Sequence, residues 1–167
     1  MYRVSQLLRK EPGMSKRNDK EVLKRRDARQ TLLQIAFQME AQQDTSDDPL
    51  FMQLREKQLR DDLEAYVVST YHKLVLHIDE IDDVIRQYAK GWTLQRLPKA
   101  ELAILRIAVT EILYVDDMPD AIACNEAVEL AKLYGEEKAP SYINGILGNL
   151  IRSRETAATG EADHGND

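Results

Sequence analysis

Between Pro98 and Val115 the sequence PKAELAILRIAVTEILYV places apolar residues around most of a helical wheel instead of along one stripe. Ala100, Leu102, Ala103, Ile104, Leu105, Ile107, Ala108, Val109, Ile112 and Leu113 describe a helix with neighbours on several sides, so this stretch is expected to be the central helix. Lys99, Glu101, Arg106, Thr110 and Glu111 interrupt it and make it too charged to span a bilayer. Pro98 suits its first position, where a missing N–H costs nothing. Arg106 and Glu111 fall inside a helix expected to be surrounded, and a charge there must be paired. Both are expected to hold the fold, with Glu126 or Glu129 of the following helix as the partner of Arg106.

The remaining pattern is helical throughout. From Val22 to Gln43, Ala28, Leu32, Ile35 and Met39 recur at spacings of four, three and four and line one buried face. Arg25, Arg29, Ala36, Phe37 and Glu40 occupy a neighbouring stripe. The cations crowd the end of the helix where the dipole disfavours them, a local cost that suggests use. Asp44 to Pro49 reads as a turn, and Leu50 to His77 as one helix or two. Ile78 to Ala89 forms another, opened by Asp79 as its cap and stopped near Gly91. Trp92 is expected to plug one end of the bundle. After Asp116–Pro119 a helix resumes to Tyr134 and is closed by Gly135. The last helix is expected from about Pro140 to Arg154, with Ile143, Ile146, Leu147, Leu150 and Ile151 inward. Gly145 within it costs about 1 kcal/mol against Ala, which suggests a neighbour that needs the space.

Composition narrows the class. The 167 residues are 43% hydrophobic and 31% charged, with seven Gly and five Pro, as in a helical globular domain. A single cysteine, Cys124, excludes an intrachain disulfide and a cysteine zinc site and fits a reducing cytoplasm. The net charge of −6 conceals an asymmetry: residues 1–29 carry ten Lys/Arg against four Asp/Glu, while the rest carries thirteen against twenty-five. A basic arm on an acidic body points first to nucleic acid. Residues 1–20 and the polar stretch 155–167 are expected to be disordered, leaving one helical domain over 21–154. Met14 offers a second translation start just ahead of the basic segment.

Catalytic chemistry is missing. His72 and His77 lie on different helix faces and His164 is in the tail, so no metal pair at helical spacing exists. No phosphate-cradling loop appears. Asp79, Asp82 and Asp83 read as a solvated first turn. On these grounds the chain is expected to be a non-enzymatic helical domain, without cofactor or metal, that binds RNA, DNA or a protein partner.

One set of residues goes further. Trp92, Arg96-Leu97, Glu101, Ala103-Ile104-Leu105-Arg106, Ala108, Glu111-Ile112 and Tyr114 are followed by Pro119, the segment Asn125-Glu126-Ala127-Val128-Glu129-Leu130-Ala131-Lys132, Tyr134-Gly135 and Tyr142-Ile143-Asn144-Gly145-Ile146-Leu147. Together with Arg25-Arg26-Asp27-Ala28-Arg29, this order resembles the NusB family of bacterial transcription antitermination factors, over about residues 24–152. The resemblance implies an all-α fold of about seven helices in two subdomains around the central helix, and antitermination of ribosomal RNA operons without catalysis. It implies that a small-subunit ribosomal protein, NusE, joins the chain to hold boxA-type single-stranded RNA within an elongation complex containing other Nus factors. By position, Lys24, Arg25, Arg26, Arg29, Lys138 and Tyr142 are the expected RNA contacts. Phe37, Ala41 and Glu101 are the expected contacts to the ribosomal protein. Trp92, Arg106, Glu111, Asn125, Glu126, Asn144 and Gly145 are the expected structural positions. Within the arginine motif this chain has Asp27 at a variable, often basic place; elsewhere Lys138 stands where some members have an acid in the RNA-facing loop, and Cys124 replaces a usual aliphatic. Two other readings compete. One is a stand-alone relative of the RNA-binding domain of ribosomal RNA cytosine methyltransferases, although the chain ends within about fifteen residues of the last helix. The other is a protein-only adaptor or homodimer.

Overall fold

The computed structural model describes the backbone of residues 18–162 and the side chains of residues 24–160. Its elements are α1 (Asn18–Gln42), α2 (Asp48–Lys57), α3 (Asp61–Leu76), α4 (Ile78–Tyr88), a single 3-10 turn (Leu94–Arg96), α5 (Lys99–Tyr114), α6 (Asp120–Tyr134) and α7 (Ala139–Ala162). Among the described residues the fold is all-α, and their seven α-helices match the expected number.

α5 is the axis. Every residue from Ala100 to Ile112 is buried, charged ones included. Pro98 caps it, as the missing N–H allows. α1, α2 and α3 pack among themselves, and α7 packs on α4 and α6, while α5 touches α1, α3, α4, α6 and α7. Both groups therefore close over one continuous core, which includes Leu32, Ile35, Met39, Tyr71, Ile104, Leu105, Ile143 and Leu147.

Several local expectations change. The stretch from Leu50 to His77, open to one helix or two, is resolved as two, separated at Gln58 in a left-handed conformation. Asp79 lies in the first turn of α4, and His77 occupies the cap position. Gly91, at φ +83°, makes the sharp bend after α4 that a residue with a Cβ resists. That bend leaves Trp92 half exposed at the surface, so it does not plug the bundle. α7 continues past Arg154 to Ala162, through part of the stretch expected to be disordered. Arg154 anchors this extension by donating to the Ile112 carbonyl at 2.7 Å and to Asp120 at 2.8 Å. The hydroxyls of Thr156 and Thr159 bond back to carbonyls one turn earlier. Residues 163–167 lie outside the described residues. So do residues 1–17 of the expected arm, whereas residues 18–20 begin α1.

Two glycines exchange roles. A Cβ on Gly145 would meet nothing within 4 Å, so no neighbour requires that glycine. A Cβ on Gly135 would stand 2.6 Å from the Ala139 Cβ and 2.8 Å from the Ala131 carbonyl oxygen. The close approach is at the α6–α7 corner, not inside α7.

Candidate nucleic-acid interface

The arginine motif lies in the first half of α1. Lys24, Arg25, Arg26 and Asp27 are exposed, whereas Ala28 and Arg29 are buried. The Arg25 side chain has no ionic partner among the described residues. Arg26 is 45% exposed and leans on Glu126 of α6 at 3.3 Å. This contact orients the guanidinium while leaving it open to solvent.

Arg29 belongs elsewhere. Only 5% exposed, it donates two hydrogen bonds to the Glu111 carboxylate at 3.2 and 3.1 Å. Its guanidinium also lies 5.8 Å from the centre of the Tyr66 ring, and Glu126 stands 3.9 Å away. Burial alone would pull the Arg29 pKa down, but Glu111, Tyr66 and Glu126 outweigh it and hold the group above its ordinary value. The Tyr66 hydroxyl donates to Glu111 at 2.6 Å. Burial, and then Glu111, raise that phenol well above the usual tyrosine range. The structure thus places Arg29 in an internal ion pair joining α1 to α5, away from the exposed cations beside it in the sequence.

Arg106 and Glu111 do not share partners. Arg106 holds Glu40 of α1 at 2.7 Å and Asp82 of α4 through two bonds at 2.8 and 2.9 Å. Neither Glu126 nor Glu129 reaches it: Glu126 faces Arg26 and Arg29, and Glu129 pairs with Lys132. Arg106 and Glu111 are therefore neutralised by long-range partners on α1 and α4. Sequence spacing carries no signal for such pairs, and Asp82, which reads as part of a solvated turn, instead faces inward to Arg106.

At the other end of α5, Glu101 is 1% exposed. It accepts hydrogen bonds from the Glu136 backbone N–H at 2.9 Å and from the Tyr142 hydroxyl. Expected to meet a protein partner, it is instead an internal anchor that fixes Tyr142. Burial and the bond to Glu101 raise the Tyr142 phenol far above its ordinary value. The Tyr142 ring stacks with Trp92, centroids 5.9 Å apart and planes 20° from parallel. Both rings, with Pro98, Glu136, Glu137, Lys138 and Ser141, line a cleft of about 540 Å³. Trp92 is thus a surface residue and not a core plug.

The expected RNA contacts therefore form two clusters. Lys24, Arg25 and Arg26 lie at the Glu111 end of α5, and Lys138 with Tyr142 at the Glu101 end. Ten residues of helix separate these ends, roughly 15 Å. Phe37 is half-buried and Ala41 exposed, one turn apart on the second half of α1. Asn125 and Asn144 are exposed, and Asn144 accepts a 3.6 Å contact from the Cys124 thiol. Asn125 has no side-chain bond among the described residues, so no contact supports a structural role for it. Burial raises the Cys124 thiol pKa, as befits a packed side chain. No metal-holding cluster occurs among the described residues, and none of their helices is long and apolar enough to cross a membrane.

Comparison with known proteins identifies the fold and the family. Residues 26–152 match the model of the NusB family. Transcription antitermination protein NusB of Acetivibrio thermocellus is 37% identical over 136 residues, covering 81% of this chain and 94% of that one. Its counterpart in Salinispora arenicola is 38% identical over 128 residues, covering 75% and 93%. Among solved structures, T. maritima NusB aligns with a TM-score of 0.72 at 29% identity, over 77% of this chain and 90% of that one. A complex of antitermination factors NusB and NusE with dsRNA contains the same fold, with a TM-score of 0.71 at 24% identity over 78% of this chain and 97% of that one. With the family model spanning most of the chain and relatives matching nearly end to end, the chain belongs to the NusB family, as a non-enzymatic transcription antitermination factor.

Proposed function

We propose that this chain, together with a ribosomal protein in the NusE role, holds boxA-type single-stranded RNA of ribosomal RNA operons within the elongation complex. The observation that carries this reading is the pair Arg25 and Arg26, exposed on the first half of α1 against an otherwise acidic body. Guanidinium groups on neighbouring residues suit successive phosphates of one strand, through paired, charge-assisted hydrogen bonds. Glu126 pre-orients Arg26, which lowers the ordering cost of binding. Arg29 contributes by fixing α1 to α5, not by touching RNA. Phe37 and Ala41 form the candidate protein contact, while Glu101, buried, holds Tyr142 in the cleft and is left out of that contact. The NusB–NusE–dsRNA complex of a protein with this fold supports RNA and a NusE-type protein as the classes of partner.

The test uses Arg25→Ala with Arg26→Ala, and separately Phe37→Ala, in filter binding of boxA-like RNA with and without the ribosomal partner. The arginine pair should weaken RNA binding and reduce the salt slope by about 0.7 for each phosphate no longer neutralised. It should leave partner binding and the melting temperature unchanged. Phe37→Ala should weaken the protein complex first. RNA affinity insensitive to the arginine pair would overturn the assignment.

A further inference from the structure

α7 outruns the family match. The match ends at residue 152, whereas the helix runs on to Ala162, and every residue from Arg152 to Gly160 is exposed. Burial therefore does not account for this extension, and its last turn contains no basic residue to favour the helix dipole. Residues 155–167, ETAATGEADHGND, hold four acids and no Lys or Arg. The cation just before them, Arg154, is already bonded to Asp120 and to the Ile112 carbonyl. Glu155 has no ionic partner among the described residues.

This acidic segment leaves the bundle at the end where the arginine motif lies. Arg29 of α1 and Arg154 of α7 reach adjacent residues of α5, Glu111 and Ile112. The contacts Arg106–Glu40 and Glu111–Arg29 set α1 antiparallel to α5, and Glu101–Tyr142 with Ile112–Arg154 set α7 parallel to it. Residues before Arg29 and residues after Arg154 consequently lead toward the same end of the bundle. α1 and α7 each pack on α5, so their axes are no more than two helix spacings apart, roughly 16–20 Å. Residues 163–167 lie outside the described residues; as chain length, five residues span up to about 17 Å. Arg25, with no ionic partner among the described residues, and Arg26, 45% exposed, are thus within reach of the acids that follow Arg154.

We infer that the acidic segment 155–167 reaches Arg25 and Arg26 and competes there with RNA phosphate, so that the chain carries its own electrostatic cover for that site. The inference rests on the RNA-binding reading of the arginine pair and adds its regulation. Each carboxylate is a weak partner for an exposed guanidinium, but the segment is tethered and therefore present at high effective concentration. RNA, with a phosphate on every nucleotide, displaces it. Occupation of the arginines for about four-fifths of the time lowers the apparent RNA affinity about fivefold.

The test uses the full chain with the ribosomal partner and a boxA-like single-stranded RNA, and compares the parent with a variant carrying Glu155→Gln, Glu161→Gln, Asp163→Asn and Asp167→Asn. RNA affinity of the variant should rise roughly threefold to tenfold at about 0.05 M salt, the range that two exposed ion pairs supply. The gain should fade by about 0.5 M, where screening acts within a few ångströms. In a chain that also carries Arg25→Ala and Arg26→Ala, the same four changes should give no gain, because both sets act on one contact. Without RNA, the side-chain Nε–Hε NMR resonance of Arg25 should shift when the segment is neutralised. A gain that persists in the arginine-free background is general repulsion by net charge and overturns the proposal. Unchanged affinity or an unshifted Arg25 resonance overturns it too, and all three results leave the Arg25–Arg26 reading intact. RNA affinity insensitive to Arg25→Ala with Arg26→Ala overturns that reading and the competition with it, as does absence of RNA binding by both the parent and the neutralised chain.

Discussion

Arg29→Ala separates the fold-holding arginine of the motif from the exposed ones. The guanidinium is 5% exposed and gives two hydrogen bonds to Glu111, itself 1% exposed. Removing it leaves the Glu111 carboxylate inside the core with the Tyr66 hydroxyl as its remaining partner. Breaking one side of a buried pair costs roughly 3–5 kcal/mol, most of it the desolvation of the stranded charge. For a domain of this size that corresponds to a melting temperature lower by roughly 10 °C. Arg29→Lys retains the charge but not the planar fork, so it should fall between parent and Ala. Replacing Arg29, Tyr66 and Glu111 together by Met, Phe and Leu removes the charges and the hydroxyl at once, and should recover much of the lost stability. Urea and thermal unfolding followed by circular dichroism measure these differences, and RNA binding is read well below each transition. If Arg29→Ala unfolds within about 0.5 kcal/mol of the parent, as a surface change would, and RNA affinity drops as it does for Arg25→Ala, the internal role is wrong.

Three other outcomes follow from the geometry. Arg106→Ala should destabilise by a similar roughly 3–5 kcal/mol, because it strands Asp82 and Glu40 at the meeting of α1, α4 and α5; urea unfolding checks this. Gly135→Ala should cost roughly 1–3 kcal/mol through the clash with Ala139 and the Ala131 carbonyl, whereas Gly145→Ala should stabilise by about 0.5–1 kcal/mol in open helical space; calorimetry of the two variants gives opposite signs. Burial, and for Tyr114 also Glu80, pushes the phenols of Tyr71 and Tyr114 up to about 12. Raised pKa values mean stability present below about pH 10, the unfolded value, and lost as pH rises toward 12. Unfolding free energy should therefore decline above about pH 10, and Tyr71→Phe should blunt the decline.

The central helix was legible in the sequence because a 3.6-residue period projects directly onto burial: apolar residues all round Pro98–Val115 require neighbours all round, and Ala100–Ile112 is buried without a gap. The helix order was legible for the same reason, and the NEAVELAK and YING segments in their order identified the family. Charge pairing was not legible. Glu111 meets Arg29 across 82 residues, and Arg106 meets Glu40 across 66 and Asp82 across 24. Such partners are chosen by how helices cross, which no local period encodes. Arg25 and Arg29 are one turn apart on the same face of α1, yet only Arg29 is buried, because the rest of the bundle covers that face at Arg29 and not at Arg25. The same limit applies to Glu101 and Trp92. A carboxylate and an indole beside a predicted helix start carry no mark of inside or outside. Packing at the α6–α7 corner turned Glu101 inward to Tyr142, and the bend at Gly91 left Trp92 facing solvent.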